Sequence, residues 1–484
     1  MRLSANQIAE FANGQVLFCP MDGATQAQGV TWDSREVVPG NLYVALKGER
    51  VDGHAFLSAA FEAGAKVALV CQDPAPEVLE AAGRHGAAVV RVADTYAAVT
   101  DLARGWRDLL AGRVIGLTGS TGKTTTKNLV RDVLSAGMSV VATRANQNNE
   151  LGVPRTLLTA QEETQAVVVE MGMRGLGQIE QLCGFVRPEW GVITNVGTSH
   201  MELLGSQENI ARAKAELMAA LPGENGVAFL NGADPYSDMV RQVAQLDQRS
   251  VQVVVYDGGL GAEERQVEGP RVWAEQISLD DQGCASFELC AKDGQQEQRV
   301  SCKLTLRGLH NVQNACAAAA IGWKAGMALE QVAQALSQAQ PESGRQEVLQ
   351  APGGFTVVND AYNANPDSMR ASLATFCALA AAGKRIAVLG DMGELGDFEE
   401  AGHAQTGALA ATLPLDLLVC VGPLSRGMAA AAIDGGMDSA AVRCVDDAAQ
   451  ACELVAPLVG EGDAVLVKAS HYMGLEKVVE GLVR

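Results

Sequence analysis

Short apolar runs separated by amphipathic stretches recur along the whole chain. Leu42–Leu46, Lys66–Val70 and Ala87–Val92 read as buried strands, with a helical stretch over His54–Ala63. The pattern restarts at Arg113. Val114–Leu117 is a strand without a polar face, a Gly-rich turn follows, and Leu129, Val130, Val133 and Leu134 then share one helical face. Ala166–Val169 and Gly191–Val196 are further buried runs. Between Ser250 and Arg307 the runs become short and alternating, in VQVVVYD, RVWAEQISLD, CASFELCAKD and QRVSCKLTLRG, which predicts added antiparallel strands. The Ala-rich helix Asn311–Ala325 and a segment ending near Gln338 close this unit. A third unit begins at Pro341, with buried runs at Phe355–Asn359, Arg385–Gly390, Leu417–Gly422 and Asp463–Val467. Strands alternating with helices predict mostly parallel sheets, whose ligands gather at the carboxyl ends of the strands.

Composition agrees with several folded units. The chain has 484 residues, 48% of them hydrophobic and 19% charged, enough for about three domains. Its 37 basic and 57 acidic residues leave a net charge of −20, which argues against a general nucleic-acid binder. Eleven scattered cysteines form no CxxC pair and no metal-ligand spacing, the pattern of free thiols in a reducing compartment. The first residues lack a signal-peptide pattern, and no stretch approaches about 18 uninterrupted apolar residues. These features predict a cytoplasmic chain with no membrane insertion.

Against an acidic background, a concentrated phosphate motif is informative. GLTGSTGKTTT (Gly116–Thr126) lies between a strand and a helix. Gly119 and Gly122 let backbone N–H groups approach a phosphate, and the helix adds its positive end. Lys123 can offset β/γ-phosphate charge, and Thr124 can place a hydroxyl on Mg²⁺. The P-loop pattern asks for glycine six residues before Lys123. Leu117 holds that position, with Gly116 one residue further back.

Three polar residues stand where apolar ones are expected. Glu170 ends the buried run AVVVE, either as a solvated strand edge or as a Mg²⁺ ligand at the rim of the phosphate-loop sheet. His200 follows the strand ending at Val196, and is equally a structural histidine or a metal or phosphate ligand. Lys214 shares a helical face with Ile210 and Leu217, in a helix for which Ser206 is the N-cap candidate. It either snorkels or holds a buried amine of lowered pKa. Arg212 and Glu216 take the outward positions.

Taken in order, TGSTGKTTT, VVVEMG, NVGTSHMELLGS, ARAKAEL and GLHNVQNACAAA resemble the Mur ligase family of ATP-dependent amide-bond ligases. DSREVVPGNLYVALKGERVDGHAF near the start and VLVKASHYMGLEKVV near the end extend the resemblance over essentially the whole chain. It implies an α/β three-domain architecture. A small N-terminal α/β domain (1–98) binds the UDP-sugar. A central P-loop ATPase-like domain (99–338), with a mostly parallel sheet plus added antiparallel strands, binds ATP. A C-terminal Rossmann-like α/β domain (339–484) docks the incoming dipeptide. NQNNELGVPRTLL (Asn146–Leu158) and NDAYNANPDSM (Asn359–Met369) resemble the family branch that adds D-alanyl-D-alanine to UDP-N-acetylmuramoyl-tripeptide through an acyl phosphate. The alternatives are a diamino-acid-adding ligase or a P-loop kinase or NTPase.

The resemblance also assigns roles. Thr118, Gly119, Ser120, Thr121, Gly122, Lys123, Thr124 and Thr125 form the ATP phosphate loop. Asn314 corresponds to an adenine contact, Arg345 to a phosphate contact from the third domain, and Asp360, Tyr362 and Asn365 to the interdomain nucleotide region. Thr124, Glu170, His200 and Lys214, the last as a carbamate, match the positions that hold two Mg²⁺. Ser34, Arg35 and Lys47 fall in the UDP-sugar region, and Asn146, Asn149 and Glu150 in the segment facing the muramyl-peptide. Lys468 and Ser470 match an element near the substrate carboxylates, and His471 stands where the family often has Arg. A monomer is expected.

Overall fold

The computed structural model describes residues 1–259 and 269–484, which form three sheets layered with helices and a two-stranded ribbon of Arg2–Ser4 and Gln26–Gln28. The N-terminal sheet runs Gln15–Phe18, Ala88–Arg91, Val67–Val70, Leu42–Val44, Val30–Thr31, with only its first strand antiparallel. The C-terminal sheet runs Glu347–Gln350, Thr356–Asn359, Ala464–Lys468, Arg385–Gly390, Leu417–Val421, Val442–Val445, again with one antiparallel edge.

The nine-stranded central sheet positions the chemistry. Arg113–Thr118 lies between Ala166–Glu170 and Trp190–Ile193, parallel to both. The chain first builds outward to Val140–Ala142, returns through Ala166–Glu170, then crosses to the other side. The strand order therefore reverses at Arg113–Thr118, and a crevice opens past its carboxyl end. All three of these strands are continuous apolar runs because helices cover both faces.

One expectation about this sheet is corrected. VQVVVYD, read as antiparallel, forms Gln252–Asp257 and pairs in parallel with Val227–Asn231 on one side and Arg271–Leu279 on the other. The helix Ser237–Val243 carries the chain back to the start of the sheet, so the strand after it must run the same way. Only Arg271–Leu279, Cys284–Asp293 and Gln296–Arg307 form the antiparallel meander.

The boundary expected at residue 98 falls inside the helix Thr95–Leu109. Its Val99, Leu102 and Trp106 belong to one apolar core that includes Ile8 and Val90 of the first unit and Leu157, Val167 and Ile179 of the second. The first two units are thus welded through a common helix. All eleven cysteines are free, and no helix among the described residues is long and apolar enough to cross a membrane.

Trp106 is fully buried at that weld and donates its indole N–H to Ala160 O at 3.1 Å. Trp106→Ala should cost about 3–5 kcal/mol, and Trp106→Phe only about 0.5–1.5 kcal/mol for the lost hydrogen bond, since Ala160 O still accepts from the Met1 ammonium at 2.7 Å. Urea unfolding of the two variants against wild type checks both the direction and the order.

Candidate active site

The phosphate loop is shaped by what presses on it. Gly119 has φ +157° and Gly122 has φ +73° at the start of the helix Lys123–Ser135. A Cβ on Gly119 would lie 1.8 Å from Thr194 Oγ1, and one on Gly122 would lie 2.6 Å from Asn314 Oδ1. Thr194 Oγ1 donates to Thr121 O at 2.6 Å, and Asn195 Oδ1 accepts from Thr121 N at 3.0 Å. The loop is held open by neighbouring side chains, so it is formed in advance of any phosphate. Lys123 Nζ folds over it, donating to Gly119 O at 2.9 Å and Ser120 O at 3.3 Å. Burial lowers the pKa of this ammonium.

Glu170 is only 1% exposed. Its Oε1 accepts from Asn148 Nδ2 at 2.8 Å and from Thr124 Oγ1 at 3.4 Å. Its Oε2 is buried without a hydrogen-bond partner, 4.0 Å from Lys127 Nζ. A buried carboxylate oxygen with nothing to accept from suits a cation. Among the described residues no three His, Cys, Asp or Glu side chains converge as a metal cage.

Ser206 caps the helix Gln207–Ala219 as expected, accepting from Asn209 N at 3.2 Å. Lys214 is buried on it at 1% exposure. Desolvation, then the charge of Lys123, drives its pKa well below that of a free lysine. Of the two alternatives, the amine is buried and does not snorkel. Glu216 corrects the reading of an outward residue, because its carboxylate accepts from Gly177 N at 2.6 Å and Glu180 N at 3.0 Å. It caps the neighbouring helix Gln178–Val186, an anion at a positive helix end.

The third unit closes the crevice. Asn365 Nδ2 donates to Ser199 Oγ at 2.6 Å, and Asp367 Oδ2 accepts from Thr198 N at 3.1 Å and Thr198 Oγ1 at 3.2 Å. His200 Nδ1 stands 2.7 Å from Glu394 Oε2. Together the second and third units enclose a cavity of about 1570 Å³. Arg345 lies over the Tyr362 ring at 4.0 Å, and Tyr362 stacks on His471 with centroids 5.8 Å apart. Lys468 is not a free cation, for its Nζ meets Asp360 Oδ2 and Asn363 O, both at 2.8 Å. Ser470 Oγ accepts from Gly393 N at 2.9 Å.

Most of the sequence-derived residues line this one cavity. Ser120 to Thr125, Asn146, Asn149, Glu150, Glu170, His200, Asn314, Arg345, Asp360, Tyr362, Asn365, Lys468, Ser470 and His471 all do so. Thr118 and Gly119 lie beneath the loop, and Lys214 does not reach the wall. Ser34, Arg35 and Lys47 are also absent from it. Arg35 is exposed and paired with its own neighbour Asp33 at 2.6 Å. Their turn is nevertheless docked nearby, since Glu36 pairs with Arg155 at 2.7 Å and Arg155 covers Trp32. Asn148, Lys127, Glu394 and His310 belong to the site and were not singled out in the sequence. His310 lines the cavity, with its pKa pushed down to about 4 by burial. The walls carry six basic and seven acidic side chains.

A phosphate loop with a buried carboxylate beside it, both opening on a cleft closed by the third unit, is the arrangement of a nucleotide-dependent enzyme. Family profiles match along the chain: Mur ligase family, catalytic domain at residues 26–106; Mur ligase middle domain at 117–322; and Mur ligase, glutamate ligase domain at 344–471. The chain belongs to the Mur ligase family. The UDP-N-acetylmuramoyl-tripeptide–D-alanyl-D-alanine ligase of Mycobacterium tuberculosis is 39% identical, over 100% of this chain and 98% of that protein. The crystal structure of MurF from Acinetobacter baumannii superposes with a TM-score of 0.82 at 32% identity, covering 100% of this chain and 99% of that one. MurF ligase from Thermotoga maritima, solved in complex with ADP, gives 0.74 at 25% identity, covering 94% and 97%.

Gly122→Ala puts a methyl group against Asn314 in a backbone region that L-residues avoid. ADP affinity by calorimetry should fall at least about tenfold, since roughly 1–3 kcal/mol of strain accompanies such a residue. Unchanged affinity would show that the loop does not need its glycine.

Proposed function

We propose that this chain uses ATP to join D-alanyl-D-alanine to the terminal carboxylate of UDP-N-acetylmuramoyl-tripeptide. The products are the pentapeptide precursor of peptidoglycan, ADP and phosphate. The observation that carries this reading is one cavity with the phosphate loop on one wall and Asp360–Asn365 with Lys468 on the other. The full-length likeness to ligases of that name supports it. Residues 1–98 take the UDP-sugar, 99–338 the ATP and 339–484 the dipeptide, in a monomer working in the cytoplasm.

A carboxylate is a poor electrophile, so it must be activated before an amine attacks it. The tripeptide carboxylate attacks the γ-phosphorus, giving an acyl phosphate and ADP. The dipeptide amine then attacks the acyl carbon, loses its proton and expels phosphate. The loop amides of Ser120–Thr125 and the Lys123 ammonium hold the phosphates in line and offset their charge. Glu170, His200 and the Thr124 hydroxyl would hold Mg²⁺, which supplies Lewis-acid charge stabilisation when bound. Burial favours the neutral form of the Lys214 amine, the form that takes up carbon dioxide to give an anionic carbamate oxygen donor. Asn314 faces the adenine, and Arg345, Asp360, Tyr362 and Asn365 meet the nucleotide from the third domain. Ser34, Arg35 and Lys47 hold the UDP-sugar, and Asn146, Asn149 and Glu150 the peptide. Lys468 and Ser470 orient the dipeptide end, with His471 in the place of a second charge contact. Closure of the third domain excludes the water that would hydrolyse an acyl phosphate.

ADP release should require both UDP-N-acetylmuramoyl-tripeptide and D-alanyl-D-alanine, and Lys123→Ala should lower it by about 100-fold or more with the fold intact. ADP formation indifferent to the dipeptide would sink the ligase reading. Lys214→Ala should be inactive and regain part of its turnover with added formate or acetate. A fully active Lys214→Ala would remove the carbamate from the scheme.

A further inference from the structure

The helix Gly152–Thr159 joins two regions that lie far apart in sequence. Its start belongs to the cavity wall. Asn149 Oδ1 accepts from Gly152 N at 2.9 Å and Asn149 O from Val153 N at 2.9 Å, while a Cβ on Gly152 would lie 2.4 Å from Gln147 O. The turn that brings Asn146, Asn149 and Glu150 to the cavity is thus packed onto the first turn of the helix. Asn148, in the same turn, donates to Glu170 Oε1 at 2.8 Å. Further along the helix, Arg155 is absent from the cavity wall and reaches the first unit instead. Its Nη2 donates to Glu36 Oε2 at 2.7 Å, and its guanidinium lies 5.1 Å from the centroid of the Trp32 ring.

The first unit needs a tie at this place. Trp32 is partly buried against the apolar core that the first two units share, but the single turn that follows it, Ser34–Glu36, buries none of its residues. The side-chain bonds of that turn are otherwise local, with Asp33 accepting from Arg35 N at 2.9 Å and pairing with the Arg35 guanidinium at 2.6 Å. Apolar burial fixes the body of the first unit and does not reach this turn. The Arg155–Glu36 pair does, and the Arg155 side chain is 22% exposed. A planar guanidinium with a carboxylate on its edge and an indole against its face holds one geometry, which an ammonium on a flexible stem does not.

We infer that Arg155 is a positioning residue that sets the spacing between the nucleotide end and the peptide end of one extended substrate. This rests on the reading proposed above, in which Ser34 and Arg35 take the UDP-sugar and Asn146, Asn149 and Glu150 the peptide. A ligand that spans both places binds its second end as an intramolecular event, and what it gains depends on how well the spacing of the two places matches its own length. Arg155 holds that spacing by locking the turn to the helix that carries the peptide segment. It contacts neither end of the ligand, so a ligand that fills the turn alone is indifferent to it.

Calorimetric titration of the full chain with UDP and with UDP-N-acetylmuramoyl-tripeptide tests the inference. Arg155→Met keeps much of the side-chain length and removes the charge. It should weaken the tripeptide ligand about 3–10-fold and leave UDP within about twofold of wild type. Arg155→Lys should recover part of the loss, and the KM for ATP should not move. Glu36→Gln should shift the tripeptide ligand in the same direction, and the double variant should lose no more than Arg155→Met, because both changes remove one contact. Wild-type affinity for the tripeptide ligand in Arg155→Met would overturn the inference, as would additive losses in the double variant. An equal loss for UDP would also overturn it, since Arg155 would then support the nucleotide end alone. If UDP does not bind the wild-type chain, the assignment of the turn to the UDP-sugar fails, and the inference with it.

Discussion

A carboxylate almost fully withdrawn from water is tolerated only where charge and hydrogen bonds converge on it, and Glu170 sets that condition for this structure. It sits beside Leu117 in register, at the carboxyl end of a strand hydrogen-bonded to the phosphate-loop strand. Meeting its needs fixes two separate parts of the chain. Thr124 comes from the first turn of the loop helix, Lys127 from the next turn, and Asn148 from the segment assigned to the peptide. One of its oxygens is left for a ligand. The phosphate-loop helix and the turn that carries Asn148 are therefore ordered by one buried anion.

The third domain meets this arrangement through a short polar seam. Thr198, Ser199, His200 and Glu202, consecutive but for one residue, contact Asp367, Asn365 and Glu394. Hydrogen bonds exchanged with water cost little to break and re-form, unlike a buried apolar face. By contrast the first and second units share a hydrophobic core around Trp106.

What could be read from the sequence was whatever is local. The phosphate loop, Glu170 at the end of AVVVE and Lys214 on an apolar helical face each break a short-range pattern in a way that a window of residues reveals. The strand VQVVVYD was misread because alternation reports one covered face and carries no information on the direction of the neighbours. Glu216 seemed solvated because the helix it caps begins at Gln178, far away in sequence. Lys127 carries no local signal, because the Ala145 turn that packs over it is distant in sequence. Glu394 and His310 owe their place to domain docking, which no periodicity encodes. The UDP-sugar residues Ser34, Arg35 and Lys47 came from resemblance alone, and the cavity does not include them.

The near-equal numbers of basic and acidic side chains on the cavity walls have a kinetic consequence. In a chain of net charge −20, such a cavity projects no attractive field beyond the Debye length, about 10 Å at 0.1 M salt. The cavity walls add no net positive charge to draw in a polyphosphate, whose recognition begins with the donors it meets at contact. Discrimination then rests on short-range geometry after arrival.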